Sequence, residues 1–330
     1  MVQNLCYNMD VIGLGALNFD VLYLVERIAR GGEEVGVIDV KSAAGGSAAN
    51  TTVGLARLGL SVGFIGVVGN DSEGEFILEE FRKEHVDTSR IKVEEGHTGR
   101  AMSFVDAEGE RALYILPGVN DALHLEDLDI EYVNDAKILH TSSFVSREQL
   151  EMQKALARVM KARLSFSPGM LSFKFGLDDI LEIVERSDFL FLSFEELEAL
   201  VKGRLDIKQD SGQSIKSKKK TLAEEGAAFL VDLGADVVSV TLGKLGCYVA
   251  DGEERHFVKA YPVENVVDTT GAGDAFVAGF LYGVLSGRRL EDCGRLGNIA
   301  AAFCIREYGC RKGLPSREQL EDAFSKFAAK

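Results

Sequence analysis

Residues 268–280, which read DTTGAGDAFVAGF, contain the most informative pattern in the chain. Gly271, Ala272 and Gly273 are small enough for their backbone N–H groups to approach an anion closely, and the apolar run that follows, AFVAGFLYGVL, predicts a buried helix. A helix N-terminus preceded by glycines offers free N–H donors and the positive end of the helix dipole, as a transferring phosphoryl group requires. The segment therefore predicts an anion hole.

Asp274 lies in the first turn of this predicted helix, where the helix dipole should keep its carboxylate ionised. Phosphoryl transfer passes through a loose transition state that needs mainly positioning and charge neutralisation, so a weak base is sufficient to accept a hydroxyl proton. Asp274 is therefore a candidate catalytic base. On spacing alone, an aspartate here can also simply cap the helix, and that alternative stays open.

Predicted strands and helices alternate around this segment. Strands are predicted at 10–17, 62–68, 137–142, 164–167, 188–192 and 237–242, and helices at 47–58, 74–84, 147–161, 177–186, 195–201, 222–233 and from 273 onward. Alternation of this kind favours parallel pairing with right-handed crossovers, so we expect an α/β fold with a doubly wound sheet and helices on both faces. Such sheets bind ligands beyond the carboxyl ends of their strands.

Two pairs of more polar, β-branched segments interrupt the alternation, at 19–25 with 35–41 and at 98–106 with 111–116. Each pair flanks a turn signal, which predicts strands with one solvated face. We expect one domain over 1–330 with a small β-sheet lid formed by about 17–42 and 97–117. The lysine-rich stretch KQDSGQSIKSKKK predicts a flexible insertion at about 207–221, with a basic docking patch as the minor alternative.

Composition excludes several classes of protein. The net charge of −15 opposes a nucleic-acid partner, and no apolar run approaches the roughly 20 residues that span a bilayer, so we expect a cytoplasmic protein.

The five cysteines form no CxxC pair and no grouping at metal spacing, which predicts reduced thiols. No GxxxxGK[ST], GxSxG or HExxH pattern occurs, and Gly13-x-Gly15 supports NAD binding only weakly because Asn18 occupies the third glycine position.

Three motifs resemble signatures of one family. Residues 268–279 resemble the C-terminal signature of the ribokinase-like, or PfkB, family of carbohydrate and nucleoside kinases, GGSAAN at 45–50 resembles its N-terminal signature, and GNDSEG at 69–74 resembles the adjoining Gly-x-Asp-x-x-Gly stretch. The resemblance covers about 10–325. It implies a ribokinase-like α/β domain covered by a β lid that closes on the substrate and often dimerises, and ATP-dependent phosphorylation of a sugar or nucleoside hydroxyl.

The resemblance also implies roles for individual residues. Asp274 would be the catalytic base, and the N–H groups of Gly271, Ala272 and Gly273 the anion hole. The implied acceptor ligands are Asn18, Asp20, Gly45, Gly46 and Asn50. Asp268 and Thr270 match positions that hold a potassium ion in many members.

For the nucleotide, Thr241, Gly243, Lys244 and Gly246 match a Thr-x-Gly-x-x-Gly loop near ATP, and Asn298 matches a position near the base. The family's Asn-x-x-Glu motif, which orders Mg²⁺ through water, appears here as Ser193 to Glu196. Without the family, Glu196 is an ordinary acid of a helix N-terminus and Asn298 an exposed polar residue.

The acceptor is less well defined. The hairpin LYILPGVN and the strand SFSPGM lack the arginines with which 2-keto-3-deoxygluconate kinases of this family grip a carboxylate, which disfavours that substrate. Arg100 in the lid could face an anionic or hydroxyl-rich acceptor, or be solvated. A neutral sugar and a nucleoside stay open. The serine at 193 leaves a catalytically silent sugar- or nucleotide-binding protein as an alternative.

Overall fold

A computed structural model describes residues 8–108, 110–142, 146–169, 171–205 and 214–328 of the chain. Its strands are β1 (Met9–Leu14), β2 (Asn18–Val25), β3 (Val37–Gly45), β4 (Val62–Gly69), β5 (Asp87–Glu94), β6 (Gly99–Val105), β7 (Arg111–Leu116), β8 (Ala136–Ser142), β9 (Arg163–Ser167), β10 (Phe189–Ser193), β11 (Val237–Thr241), β12 (Cys247–Ala250) and β13 (Arg255–Val258). Its α-helices are α1 (Ser47–Arg57), α2 (Ser72–Lys83), α3 (Ile130–Asn134), α4 (Arg147–Val159), α5 (Leu171–Lys174), α6 (Leu177–Arg186), α7 (Phe194–Val201), α8 (Ile215–Asp232), α9 (Ala272–Leu285), α10 (Leu290–Cys304) and α11 (Arg317–Ala328).

Nine strands form one large sheet in the order β13-β12-β11-β10-β9-β8-β1-β4-β5. The strands from β11 to β5 pair in parallel, whereas β12 and β13 form an antiparallel extension at one edge. Buried side chains of α4, α6, α7 and α8 pack in one cluster and those of α1, α2, α9 and α10 in another, so helices cover both faces. The predicted doubly wound α/β fold is confirmed.

Four strands form the separate small sheet, in the order β3-β2-β6-β7. The two antiparallel hairpins β2/β3 and β6/β7 are joined by parallel pairing of β2 with β6. Asn18 at the start of β2 lies opposite both Gly45 and Gly99, so the sheet begins at the point where the chain leaves the carboxyl end of β1. This sheet corresponds to the predicted lid.

The lysine-rich stretch differs from its prediction. Residues 206–213 lie outside the described residues, but α8 begins at Ile215, and the Oγ of Ser214 accepts a hydrogen bond from the N–H of Ser217 at 3.2 Å. The Lys219 ammonium lies 4.4 Å from the ring centroid of Phe194, and that of Lys220 lies 4.8 Å from the centroid of Phe257. Lysine favours helices and its alkyl stem packs on apolar groups, so 215–221 are helical where we predicted a flexible insertion.

Strands β5, β12 and β13 were not predicted either. β5 has no buried residue and reads DTSRIKVE, without the apolar run that marks an inner strand. Short polar edge strands are formed by pairing with a neighbour, and their own composition signals them poorly. Cys247, Cys293, Cys304 and Cys310 are buried free thiols, and Cys6 lies outside the described residues. Within the described ranges, every helix is too short or too polar to cross a membrane.

Asp71 connects the large domain to the lid. Its side chain caps α2 by accepting the Gly74 N–H at 2.9 Å, and it also accepts the N–H of Thr98 at 2.9 Å and the Thr98 hydroxyl at 2.6 Å, directly before β6. Burial raises the pKa of Asp71, but the hydrogen bonds from Thr98 and Gly74 outweigh it and hold that pKa below its ordinary value. The carboxylate therefore fixes where the chain enters the lid.

We expect Asp71→Ala to lower the free energy of unfolding by about 2 kcal/mol, because it removes a helix cap and leaves the Thr98 donors unpaired. Since the pKa of Asp71 is depressed, this stabilisation is present above about pH 4 and is lost as the pH falls through the folded pKa. Urea denaturation at pH 7 measures the loss. The control is Glu75→Ala, an exposed acid in the same helical turn. Equal losses in both variants would contradict the role of Asp71.

Candidate active site

Two helix N-termini meet at Asp274. Asp274 is the third residue of α9, and its Oδ1 accepts the Ser47 hydroxyl at 2.7 Å while its Oδ2 accepts the Asn50 amide at 2.9 Å. Thr51 donates its hydroxyl to the main-chain oxygen of Asp274 at 3.2 Å. Ser47, Asn50 and Thr51 belong to the first turns of α1, so the structure brings the 45–50 and 268–279 motifs together.

Burial shifts the pKa of Asp274 in the direction opposite to the helix dipole. We expected the helix dipole to keep its carboxylate ionised, but burial raises the pKa of Asp274 to about 6, against the hydrogen bonds from Asn50 and Ser47 and the positive charge of Arg311. The negative charge of Glu196 raises it further. Desolvation therefore outweighs the dipole. The carboxyl remains mostly ionised at pH 7, and it is a stronger base than an ordinary aspartate.

The predicted anion hole is partly open. Gly271 precedes α9 in the left-handed region at φ 76°, and a side chain there would meet Cys310 at 2.7 Å from its Cβ. The N–H of Ala272 donates to the Thr269 oxygen at 3.2 Å, so that donor is engaged in a turn. In the described part of the chain, the N–H groups of Gly271 and Gly273 have no acceptor, and space beside Gly273 is open. These two groups are the available donors.

The predicted acceptor ligands converge where the small sheet begins. A Cβ on Gly45 would overlap the Asp20 carboxylate, and one on Gly46, whose φ is 108°, would overlap the Ala16 carbonyl oxygen. Asn50 is buried beside Asp274. Glycines at 45 and 46 therefore let the main chain and the Asp20 side chain lie in contact close to Asp274.

Asn120 orients Asn18 and was not predicted. Its amide donates to the Asn18 Oδ1 at 3.0 Å, and its Oδ1 accepts the Leu17 N–H at 2.8 Å. Asn120 lies in a short 3₁₀ turn, Gly118–Ala122, directly after the lid. A lone asparagine among turn residues carries no motif, so only the fold identifies this contact.

Arg100 is paired within the protein. Its Nε donates to Glu73 of α2 at 2.7 Å, and 41% of the side-chain surface stays exposed to solvent. The guanidinium therefore links β6 of the lid to α2, and with its side chain part-exposed the contact with an acceptor stays a prediction.

Predicted nucleotide ligands lie at the carboxyl ends of β10 and β11. Ser193 and Thr241 are opposite each other in the parallel pairing of these strands. Ser193 and Glu196 form a capping box: Glu196 accepts the Ser193 N–H at 2.7 Å, and Ser193 accepts the Glu196 N–H at 3.2 Å. Burial raises the pKa of Glu196 against the Ser193 hydrogen bonds. Ser193 is therefore the N-cap of α7.

The loop after β11 is shaped by Gly243 at φ 57° and Gly246 at φ 98°, with Lys244 exposed between them. A Cβ on Gly246 would overlap the Val258 carbonyl oxygen, so only glycine allows this close approach. The loop forms a single 3₁₀ turn beyond the strand end. Its main chain is accessible to a ligand at that edge of the sheet.

Asn298 is buried at 8% exposure, so the alternative of an exposed helix residue is wrong. Its amide donates to the carbonyl oxygens of Val258 at 3.3 Å and Lys259 at 3.1 Å. Asn298 therefore anchors the chain where it leaves β13, on the same side as the 241–246 loop.

Asp268 and Thr270 organise the loop before α9. The Asp268 Oδ1 accepts the Thr270 N–H at 2.9 Å and its hydroxyl at 2.7 Å, and Oδ2 accepts the Gly309 N–H at 3.0 Å. The Asp268 N–H in turn donates to the Ile305 oxygen. The predicted cation ligands thus hold the 268–271 loop against the turn that follows α10.

Arg311, in that same turn, is the second residue that the motifs did not indicate. Its Nε donates to the Asn50 Oδ1 at 2.9 Å. Arginines are common in helix-connecting turns, and nothing in the local sequence distinguishes this one from its solvated neighbours. The contact joins positions 261 residues apart and depends on the folded packing.

Comparison with known proteins agrees with this geometry. The pfkB family carbohydrate kinase pattern matches residues 9–317. A sugar kinase of Archaeoglobus fulgidus is 38% identical over 80% of this chain and 98% of its own, and the ribokinase of Staphylococcus aureus is 30% identical over 94% and 98%. The ribokinase structure from Thermotoga maritima superposes with a TM-score of 0.83 at 26% identity, covering 96% of this chain and 99% of that one. The chain belongs to the pfkB family of carbohydrate kinases, which are ATP-dependent phosphotransferases.

Proposed function

We propose that this kinase transfers the γ-phosphoryl group of ATP to a hydroxyl of a sugar or nucleoside, with Asp274 as the catalytic base. The observation that carries the proposal is the contact between Asp274 and the first turn of α1. A carboxyl of raised pKa lies in this contact, beside the N–H groups of Gly271 and Gly273 and the residues that we propose bind the acceptor.

In this mechanism Asn18, Asp20 and the Gly45–Gly46 main chain bind the acceptor's hydroxyls, because carboxylate and amide oxygens accept from vicinal OH groups. Asp274 accepts the proton of the attacking hydroxyl. The N–H groups of Gly271 and Gly273 stabilise the charge of the migrating phosphoryl group. Closure of the small sheet over the acceptor excludes water and limits hydrolysis of ATP.

We propose that the nucleotide binds along the carboxyl ends of β10 and β11. Its phosphates and ribose contact the loop with Thr241, Gly243, Lys244 and Gly246, and its base lies near Asn298, whose amide holds the adjoining main chain in place. This position agrees with the general rule for doubly wound sheets, in which ligands bind beyond the strand ends.

Two cations fit the arrangement. Within the described residues, no group of three His, Cys, Asp or Glu side chains can hold a metal, which suits Mg²⁺ bound mainly by ATP phosphates and reached by Glu196 through water. Asp268 and Thr270 supply clustered oxygens beside Gly271 for K⁺. Either cation, when bound, neutralises phosphate charge.

We infer a neutral sugar or a nucleoside as the acceptor. Arg100, the lid cation considered for an anionic group, is paired with Glu73. The identity with the S. aureus ribokinase supports a pentose. A panel of ribose, other sugars, nucleosides and 2-keto-3-deoxygluconate, assayed for ADP release with ATP, Mg²⁺ and K⁺, tests this. Preferred turnover of the sugar acid would contradict the inference.

We expect Asp274→Asn to lower kcat by roughly a thousandfold or more while nucleotide binding survives, because an amide cannot accept the hydroxyl proton. ADP release and calorimetric nucleotide binding give the two readouts. Asp322→Asn, on the exposed face of α11, serves as the control. An unaltered rate in Asp274→Asn would overturn the assignment. Nucleotide binding by the wild-type protein without turnover of any acceptor would favour a catalytically silent binding protein.

We expect kcat/KM to fall as the pH drops through about 6, because protonation removes the base whose pKa burial has raised to about 6. Ser47→Ala should move this acid limb to higher pH, since it removes a hydrogen bond that favours the ionised form. The pH profile of kcat/KM measures both. A limb near pH 4 in the wild-type enzyme would contradict the raised pKa.

We also propose a homodimer through the lid. Apolar side chains of the small sheet stay exposed, including Ile38 at 60% and Tyr114 at 61%, and apolar patches of this kind mark association surfaces. Sedimentation velocity should show a dimer that Ile38→Glu weakens, with Glu75→Ala as the control. A wild-type monomer at micromolar concentration would refute the dimer.

A further inference from the structure

The side chain of Arg311 reaches from the turn after α10 to the first turn of α1. Its Nε donates to the Asn50 Oδ1 at 2.9 Å, and its Nη2 lies 3.4 Å from the Gly45 oxygen. The guanidinium carbon lies 5.4 Å from the ring centroid of Phe81, in α2. Arg311 therefore contacts two residues on the acceptor side of the site.

Stability does not account for this arginine. The Nη1 atom is buried and has no hydrogen-bond partner among the described residues, and burial lowers the pKa of Arg311. A desolvated cation with incomplete hydrogen bonding is costly, and apolar replacements of buried charges are often neutral or stabilising. A functional reason for its presence is therefore favoured.

That reason is the orientation of the Asn50 amide. An asparagine side chain has one acceptor end and one donor end, whereas a guanidinium only donates. With Arg311 at Oδ1, the amide nitrogen must face Asp274, and it does so at 2.9 Å. The flipped amide would place donors against Arg311 and its carbonyl oxygen against the Asp274 carboxylate.

We propose that Arg311 is a positioning residue for the catalytic base: it holds the Asn50 amide as a donor to Asp274 and keeps the ionised carboxylate available for proton abstraction. This inference rests on the proposed role of Asp274. It assigns to the turn after α10 a part in the reaction, through a hydrogen-bonded chain from Arg311 to Asn50 to Asp274.

The other groups that face Asp274 do not substitute for this effect. They are Ser47 and Asn50 on α1, Glu196 on α7, and Cys304 and Cys310 at the end of α10 and beyond it. Ser47 and Asn50 are neutral donors, Glu196 is an acid that favours the protonated form, and burial raises the pKa of both thiols, which therefore stay neutral. Arg311 supplies the positive charge in this set.

The test is the pH profile of Arg311→Met. We expect its acid limb of kcat/KM to move up by at least about half a pH unit, and kcat/KM at pH 8 to fall roughly tenfold or more, because the base loses an oriented hydrogen bond and a nearby cation. The control is Lys312→Met, which removes a 71% exposed charge from the same turn and should leave the profile unchanged. Arg311→Lys, which keeps the charge and a donor, should recover part of the loss.

A double-mutant cycle separates positioning from direct substrate contact. On an Asn50→Ala background, Arg311→Met should add little to the fall in kcat/KM at pH 8. The amide through which Arg311 orients the base is gone, and at this pH the base is ionised with or without the nearby cation. Additive losses would overturn the proposal, because they indicate a contact that bypasses Asn50. An unmoved acid limb in Arg311→Met would overturn it as well.

Folding and the role of the base are checked separately. Thermal unfolding should show that Arg311→Met is folded. If it is not folded, Arg311→Gln, which also lacks the charge, takes its place. The acid limb of kcat/KM must then move to higher pH in Arg311→Gln, and an unmoved limb would overturn the proposal. Full activity in Asp274→Asn would refute the base itself. If Asp274→Asn is inactive but the acid limb of kcat/KM does not move in Arg311→Met, only the inference about Arg311 is refuted.

Discussion

The contact between the N-termini of α1 and α9 is the constraint on which the site depends. Asp274 contributes its carboxylate and its main-chain oxygen to this contact, and Ser47, Asn50 and Thr51 contribute the donors. Both helices pack on the same face of the large sheet, in one buried cluster. The Asp274 carboxylate is therefore held between two helices, and the cost of desolvating it is what raises its pKa.

The topology explains why the small sheet and the N-terminus of α1 meet beside Asp274. The chain leaves the large sheet after β1, forms one lid hairpin and returns directly into α1, so the residues that precede α1 are also residues of the lid. The second crossing is fixed by Asp71, which bonds to Thr98 before β6. The small sheet therefore begins beside Asn18 and Gly45, close to Asp274.

Local motifs predicted the parts of the site that depend on backbone conformation. Glycines at 46 and 271 adopt positive φ, and Gly45 admits the Asp20 carboxylate, so these positions are recognisable because other residues do not fit. Inner strands such as β4, with every residue buried, were equally recognisable. Sequence patterns did not predict the polar edge strand β5, the start of α8 or the contacts of Asn120 and Arg311. Each of these depends on a partner distant in the chain.

The amino-acid sequence by itself determined the fold class and the family and pointed to Asp274 as the candidate base, because glycine geometry and apolar periodicity act over a few neighbouring residues. Tertiary structure decided the protonation of that base, the engagement of the Ala272 N–H in a turn, the pairing of Arg100 with Glu73 and the orientation of Asn50 by Arg311. The physical reason is that desolvation, hydrogen-bond competition and charge all depend on which groups lie within a few ångströms, and here those groups come from segments up to 266 residues apart.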